Sequence, residues 1–278
     1  MSHIEVTKAG LKFKIHKALS ENLDLIKENQ KKDWDFKLAI SGDGMTRTGK
    51  STVAALICAY QDKEFVKNWK DRIIFDGGKL IEQAYKVPKG SWLMYDEARE
   101  GLDSRKQMER YTKNLLDFFS QCGNLNLGIV IVLPEFFELP KSIAINQTVC
   151  LINCFARNGF DRGYFDFFNR KDKRYLFVNG QKYLNYQAQK PSFRGTFNNW
   201  FPVNKAEYER LKNKTLNKIR KKENVSEIKQ REETHRIRIK ILLKHLIKEV
   251  KLKPAFLGEL LGISRSRIYD YIRDKKPK

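Results

Sequence analysis

The sequence predicts an α/β chain: a mostly parallel sheet with helices on both faces, followed by a small all-α C-terminal domain. Three observations predict it. Short apolar runs of strand length alternate with helical stretches through residues 35–155. One of those runs, Phe36–Ser41, leads into a glycine-rich turn and then a helix. From Asn204 onward the chain becomes charged and helical.

Taken in order, residues 10–32 carry apolar positions at helical spacing (Leu11, Ile15, Ala18, Leu19, Leu23, Ile26), which predicts an amphipathic helix in an N-terminal segment, 1–34. Phe36–Ser41 reads as a buried strand, and a helix runs from Lys50 to Trp69. Arg72–Phe75 is a second strand, Gly77-Gly78 punctuates, and Lys79–Lys86 is a short helix. Trp92–Tyr95 is a strand and Lys106–Cys122 a long helix. Leu127–Leu133 is the strongest strand, stopped by Pro134. A turn or helix over Phe136–Ile143 leads to a strand at Thr148–Phe155. Gly163–Asn169 and Arg174–Val178 alternate aromatic and polar residues, as a hairpin at the sheet edge would. The first large domain, 35–203, ends in a loop from Pro191 to Pro202. A charged helical linker, 204–227, and a C-terminal domain, 228–278, follow, with helices over Lys205–Glu223 and Glu227–Val250 and a break at Pro254.

Composition narrows the classes. The chain has 278 residues with 55 Lys+Arg against 33 Asp+Glu, a net charge of +22. Such a field favours a polyanionic partner. Residues 204–278 hold 23 of the basic and 10 of the acidic side chains, so the last quarter carries more than half of the excess. No run approaches the roughly 18 apolar residues of a membrane span, and the N-terminal residues show no apolar signal core. No membrane insertion and a cytoplasmic location are therefore expected. The four cysteines (58, 122, 150, 154) lie in apolar segments and read as buried thiols.

The sharpest motif is Gly44-Met-Thr-Arg-Thr-Gly49-Lys50-Ser51, a full G-x4-G-K-S match between a strand and a helix. Glycines there let backbone N–H groups curl around a phosphate, with the positive end of the helix behind them. The nucleotide-binding set is Gly44, Thr46, Thr48, Gly49, Lys50, Ser51 and Thr52, with Lys50 on the β- and γ-phosphates of ATP. The partner motif is Trp92-Leu-Met-Tyr-Asp96-Glu97, an apolar strand ending in two acids. It places Ser51 and Asp96 as ligands of Mg²⁺, with Glu97 orienting and deprotonating the attacking water.

With both motifs in place, the chain resembles the P-loop NTPases of the HerA/FtsK-like DNA translocases, over about residues 35–200. It is similar also to the packaging ATPases of viruses and terminases and to small ATPases of archaeal viruses, phages and plasmids. The sequence departs from the family at Arg47, where the loop has its inner glycine, and at Pro134-Glu135, where the sensor strand ends in Gln or Asn. Terminase-like motors carry an arginine inside the loop, so the resemblance implies a catalytic part for Arg47 on the γ-phosphate. It also implies a homo-oligomer, possibly a ring, with an arginine supplied across the subunit boundary. Arg157 and Arg162 are the first candidates, Arg99 and Arg105 the next.

The C-terminal stretch Lys253–Ile272 has helix-turn-helix spacing: Gly258 where two helices cross, Gly262 at the turn, Ser264 as N-cap and Ile268 packing back. Ile237, Ile241, Leu242, His245, Leu246 and Ile247 on the preceding helix complete a three-helix core. The second helix then offers Arg265, Ser266, Arg267 and Tyr269 to duplex DNA. The aromatic-basic run from Phe155 to Tyr186 reads as core packing before it reads as a stacking platform for bases.

These readings lead to an ATP-hydrolysing DNA-binding protein, a DNA translocase or viral genome-packaging ATPase. The alternative is an ATP-switched helix-turn-helix regulator of replication, transposition or transcription. A small-molecule phosphotransferase needs neither the C-terminal helices nor so large a charge.

Overall fold

The computed structural model describes residues 3–96 and 105–273, with 105–112 and 219–232 described by backbone alone. The chain divides into two compact units, Met1–Asn217 and Lys218–Lys278.

The first unit opens on a hairpin where the sequence predicts only helix. Strands β1 (His3–Lys8) and β2 (Leu11–His16) pair antiparallel, from His3 opposite His16 to Lys8 opposite Leu11. The reversal is Ala9-Gly10, with φ of 51° and 74°, the left-handed pair that suits the twist of a two-residue turn. Leu11-Lys-Phe-Lys-Ile alternates apolar with charged residues, so Phe13 and Ile15 go inward while Lys12 and Lys14 face water. That period of two overrides the helical spacing of Leu11 and Ile15. Helix α1 (Lys17–Gln30) keeps the rest of the predicted helix and buries Leu19 and Leu23.

The body of the unit is one seven-stranded sheet. Its strands are β3 (Phe36–Gly42), β4 (Ile73–Ile74), β5 (Trp92–Tyr95), β6 (Gly128–Glu135), β7 (Cys150–Arg157), β8 (Asp161–Phe168) and β9 (Phe193–Thr196), in the spatial order β4-β5-β6-β3-β7-β8-β9. The first five are mutually parallel, and β8 and β9 extend the sheet antiparallel. The mostly parallel α/β architecture read from the sequence is thus present.

Alternation along the strands divides the core into two layers. Leu38 and Ile40 of β3, Val130 and Val132 of β6, and Cys150, Ile152 and Cys154 of β7 face one side. There they meet α1, the hairpin and α2 (Lys50–Gln61), which is buried all round from Thr52 to Gln61. Ala39, Ile129, Ile131, Leu133 and Leu151 face the other side. All four cysteines are buried and free, and burial pushes the thiols of Cys150 and Cys154 up to about 12.

Several elements differ from the sequence reading, each for a local reason. Helix α2 stops at Gln61, not Trp69. Asp62 leaves the helix with extended backbone, and its buried carboxylate accepts from Arg72 (2.7 Å) and from the Trp92 N–H (3.0 Å). A single turn, α3 (Trp69–Arg72), precedes β4, and α4 (Gly77–Ala84) is capped by Asp76. Helix α5 (Arg105–Gln121) leads to β6, which runs through Pro134 to Glu135. The ladder to β3 has a register shift between Ile40 and Gly42, the kind of irregularity where a missing N–H is tolerated. Arg174–Val178 lies in α6 (Arg170–Gly180), not in a hairpin: Asn169 caps the helix through Lys171 N–H and Asp172 N–H, and Leu176 and Phe177 are buried. The outer partner of β8 is instead β9, inside the segment read as loop. Of the aromatic run, Phe165, Phe167, Phe168 and Phe177 are core, while Phe160 is exposed at the β7–β8 turn.

Helix α7 (Lys205–Lys248) is continuous where two helices are predicted. In the second unit its last part is joined by α8 (Pro254–Leu260) and α9 (Arg265–Ile272) around Leu243, Leu257 and Ile268. Of the six residues expected on the preceding helix, Leu246 and Ile247 join this core; Ile237, Ile241, Leu242 and His245 are exposed, and Leu243 is the buried one. Among the described residues, no helix is long and apolar enough to cross a membrane.

Candidate functional site

The chain enters the sheet at β3, leaves for the far edge at β4, returns through β5 and β6, and then crosses to β7 on the other side of β3. The carboxyl end of β3 is therefore where strand order reverses, and at such points an open parallel sheet leaves a crevice. The Gly44–Ser51 segment fills its rim.

The backbone of this segment is left-handed at three places: Gly44 (φ 78°), Arg47 (φ 61°) and Gly49 (φ 97°). Gly49 opens α2, its carbonyl accepting the Val53 N–H at 3.1 Å. Thr48 is buried, and Thr52 is buried one turn into the helix. Lys50 turns back over the loop and donates to the Met45 carbonyl at 2.8 Å. A Cβ at Gly42 would lie 3.0 Å from Lys50 Nζ and 3.2 Å from Thr48 Oγ1, so a larger residue there would press on the lysine tip. Thr46 and Arg47 are exposed on the loop. Phe197 covers Gly49, its ring 2.5 Å from where a Cβ would stand.

Ser51 meets the end of β5. Its hydroxyl donates to Asp96, 3.2 Å from Oδ1 and 3.3 Å from Oδ2. Asp96 is 1% exposed and also accepts from the Tyr208 hydroxyl and the Lys212 ammonium, both on α7. Glu97 and Arg99 lie outside the described residues, as does the side chain of Arg105. A hydroxyl and a carboxylate are hard oxygen donors of the kind Mg²⁺ takes together with water and phosphate oxygens. No cluster of three His, Cys, Asp or Glu occurs among the described residues, so a metal here would rest on this sparse pair, which fits Mg²⁺ rather than a caged ion.

A second polar group lies behind the loop. Glu135 is buried at the end of β6, and burial raises its carboxyl above the usual range. The Tyr186 hydroxyl is 2.5 Å from Glu135 Oε1 and 2.7 Å from the Gly42 carbonyl, and it accepts the Phe136 N–H at 2.9 Å. Tyr186 thereby ties the loop strand to the neighbouring strand.

The Gly44–Ser51 loop, Asp96, Tyr208 and Lys212 border one cavity of about 850 Å³, whose walls also include Arg162, Phe201 and Lys205. Arg157 lies elsewhere, its guanidinium 4.1 Å from the centre of the Tyr164 ring. The cavity thus gathers cationic and N–H donors around one buried carboxylate, a surface suited to a phosphorylated ligand with a divalent cation.

In the second unit, a Cβ at Gly258 would lie 2.7 Å from the Ile263 carbonyl, Gly262 has φ 63°, and the Ser264 hydroxyl accepts the Arg267 N–H at 3.3 Å. Arg265, Ser266, Arg267 and Tyr269 are all exposed on α9. Arg265 lies over the Tyr269 ring, 5.7 Å from its centre.

Sequence reading singled out the loop and Asp96 but missed Tyr186, Phe197, Tyr208 and Lys212. Tyr208 carries a faint signal: it is a lone aromatic in a charged helix.

No protein-family model matches this chain. A comparison with curated proteins likewise returns no match.

Proposed function

We propose that the protein is a P-loop ATPase that works on DNA, of the HerA/FtsK-like or terminase-like kind, serving as a DNA translocase or genome-packaging motor. The observation that carries the reading is the union of the Gly44–Ser51 loop with Asp96: the loop joins the carboxyl end of β3 to α2, and Ser51 hydrogen-bonds the buried carboxylate from β5. Backbone N–H groups from Gly44 to Ser51 and the start of α2 would hold the β-phosphate. Lys50 would exchange the Met45 carbonyl for phosphate oxygens. Ser51 and Asp96 would hold Mg²⁺, which when bound neutralises charge developing on the γ-phosphate. Arg47 and Arg162, on the cavity wall, supply further positive charge to that end.

The net charge of +22 and the exposed Arg265, Arg267 and Tyr269 on α9 support DNA as the partner, with α8 and α9 as a helix-turn-helix. The same α9 residues favour a second reading, an ATP-switched regulator that recognises one DNA sequence. ATP hydrolysis measured with and without long duplex DNA tests both. A motor is stimulated by duplex of any sequence; a switch turns over slowly and prefers one sequence. Lys50→Ala should abolish triphosphate binding, and unchanged binding in that variant would overturn the ATPase reading.

A further inference from the structure

Asp96 already holds a cation of the protein's own. Its Oδ2 accepts from Tyr208 and, at 3.2 Å, from Lys212 Nζ, while the Ser51 hydroxyl lies 3.2 Å from Oδ1 and 3.3 Å from Oδ2. Tyr208 and Lys212 stand four residues apart on α7, one above the other on a single helix face. That face is fixed from several directions. Tyr208 is buried against the rings of Phe75 and Phe201, with centroids 5.8 and 4.9 Å away. The Asn204 side chain accepts the Glu207 N–H at 3.0 Å, and Glu207 pairs with Lys70 at 2.5 Å. The contact with Asp96 is therefore part of how α7 is seated, not the reach of a loose side chain.

Lys212 differs from Tyr208 in one respect. Both border the cavity, but Lys212 is 19% exposed at the side chain and carries its ammonium on a flexible stem, whereas Tyr208 is buried and its ring is packed. A buried carboxylate stripped of its counter-charge is strongly disfavoured, so whatever cation sits on Asp96 is exchanged for another rather than simply lost.

We infer that Lys212 is a resident counter-ion of Asp96 that a divalent cation arriving with the nucleotide displaces, and that Tyr208 is a positioning residue holding the carboxylate toward Ser51 throughout. This rests on the nucleotide reading above. It makes metal binding a competition between Mg²⁺ and an ammonium, so the start of α7 reports whether the site is loaded.

The test uses the full chain with a non-hydrolysable ATP analogue and Mn²⁺ in place of Mg²⁺, bound metal being read from loss of the free-ion paramagnetic resonance signal. Lys212→Met removes the competing charge at similar length, and Mn²⁺ should bind at least about tenfold tighter, as expected when a charged hydrogen bond no longer has to be broken. Lys212→Arg restores a cation and should return the affinity toward wild type. Tyr208→Phe keeps the ring packing, loses the hydroxyl, and should weaken Mn²⁺ binding several-fold. The thermal shift on adding Mn²⁺ and analogue should be larger for Lys212→Met than for wild type, which keeps the test valid if the variant is destabilised without metal. Unchanged or weaker Mn²⁺ binding in Lys212→Met would overturn the inference; if analogue affinity also falls, Lys212 is a phosphate ligand of the loaded site. The two proposals fail separately. A wild-type chain that binds the analogue no better than Lys50→Ala defeats the nucleotide reading itself. Lys50-dependent binding without the Lys212 effect defeats only the counter-ion.

Discussion

Gly49 tests the shape of the loop directly. Its φ of 97° lies in the left-handed region, where a side chain costs about 1–2 kcal/mol. A Cβ there would also stand 2.5 Å from Phe197 Cζ and 2.6 Å from Cε2, so the ring has to move. Displacing a packed group costs about 1–3 kcal/mol. Gly49→Ala should therefore destabilise the protein by roughly 2–5 kcal/mol, on the order of 4–20 °C in Tm for a unit of this size. Phe197→Ala removes the obstruction but not the backbone strain. In that background Gly49→Ala should cost only about 1–2 kcal/mol, and the double-mutant cycle should return a coupling of about 1–3 kcal/mol. Urea unfolding of the four proteins, followed by far-ultraviolet circular dichroism, measures all the terms. Equal costs in the two backgrounds would mean that Phe197 does not lie over Gly49. A wild-type cost below about 0.5 kcal/mol, the level of an ordinary surface change, would mean that Gly49 is not left-handed.

Arg47 is a non-glycine residue at φ 61°, so Arg47→Gly should stabilise the fold by about 1 kcal/mol in the same assay while lowering turnover at saturating triphosphate. The imidazole of His16 is held below its ordinary value of 6.5, by burial first and by His3 second. The unfolded chain then takes up a proton before the folded one, so this contribution to stability is intact above about pH 6.5 and is lost as pH falls toward the lowered folded value. Denaturant midpoints between pH 5 and 7 should show the loss, and His16→Phe should flatten it. Replacing both Arg265 and Arg267 with alanine should weaken binding to duplex DNA and reduce the slope of log affinity against log salt by about 2, if each meets one phosphate. An unchanged slope, read by fluorescence anisotropy, places the DNA contacts off α9.

The elements legible in the sequence were those whose own residues decide them. Leu127–Leu133 is apolar through its length, Phe36–Ser41 is apolar but for Lys37 and Ser41, and the two became the middle of the sheet. The errors fall where a distant partner decides. Asp62 ends α2 because Arg72 and the Trp92 N–H converge on it, a contact no local pattern announces. Residues 193–196 become a strand because β8 has an open edge for them to pair with. Two signals lie in the local sequence and the reading passed over them: the period-two run Leu11–Ile15, and Asn158-Gly159 with φ of 49° and 77°, a pair suited to a tight hairpin reversal. The aromatic alternation after Asn169 pointed to a strand, but the cap that Asn169 offers decides for α6.

The candidate site divides in the same way. The loop is local chemistry, because each glycine and the lysine act within eight residues of one another, and so the motif can be read in one dimension. What surrounds Asp96 cannot. Ser51 comes from α2, Asp96 from β5, and Tyr208 and Lys212 from a helix more than 100 residues further on, whose charged sequence reads as solvated. On that helix the hydrophobic pattern points to water, yet one face carries a buried phenol and an ammonium to a carboxylate. Charge periodicity alone cannot reveal this, since a lysine paired with a buried aspartate looks the same in sequence as a lysine in solvent. The distinction lies in Asp96: a strand that ends in a fully buried acid calls for positive charge from the fold, the Ser51 hydroxyl brings none, and Lys212 answers from a residue beyond the motif.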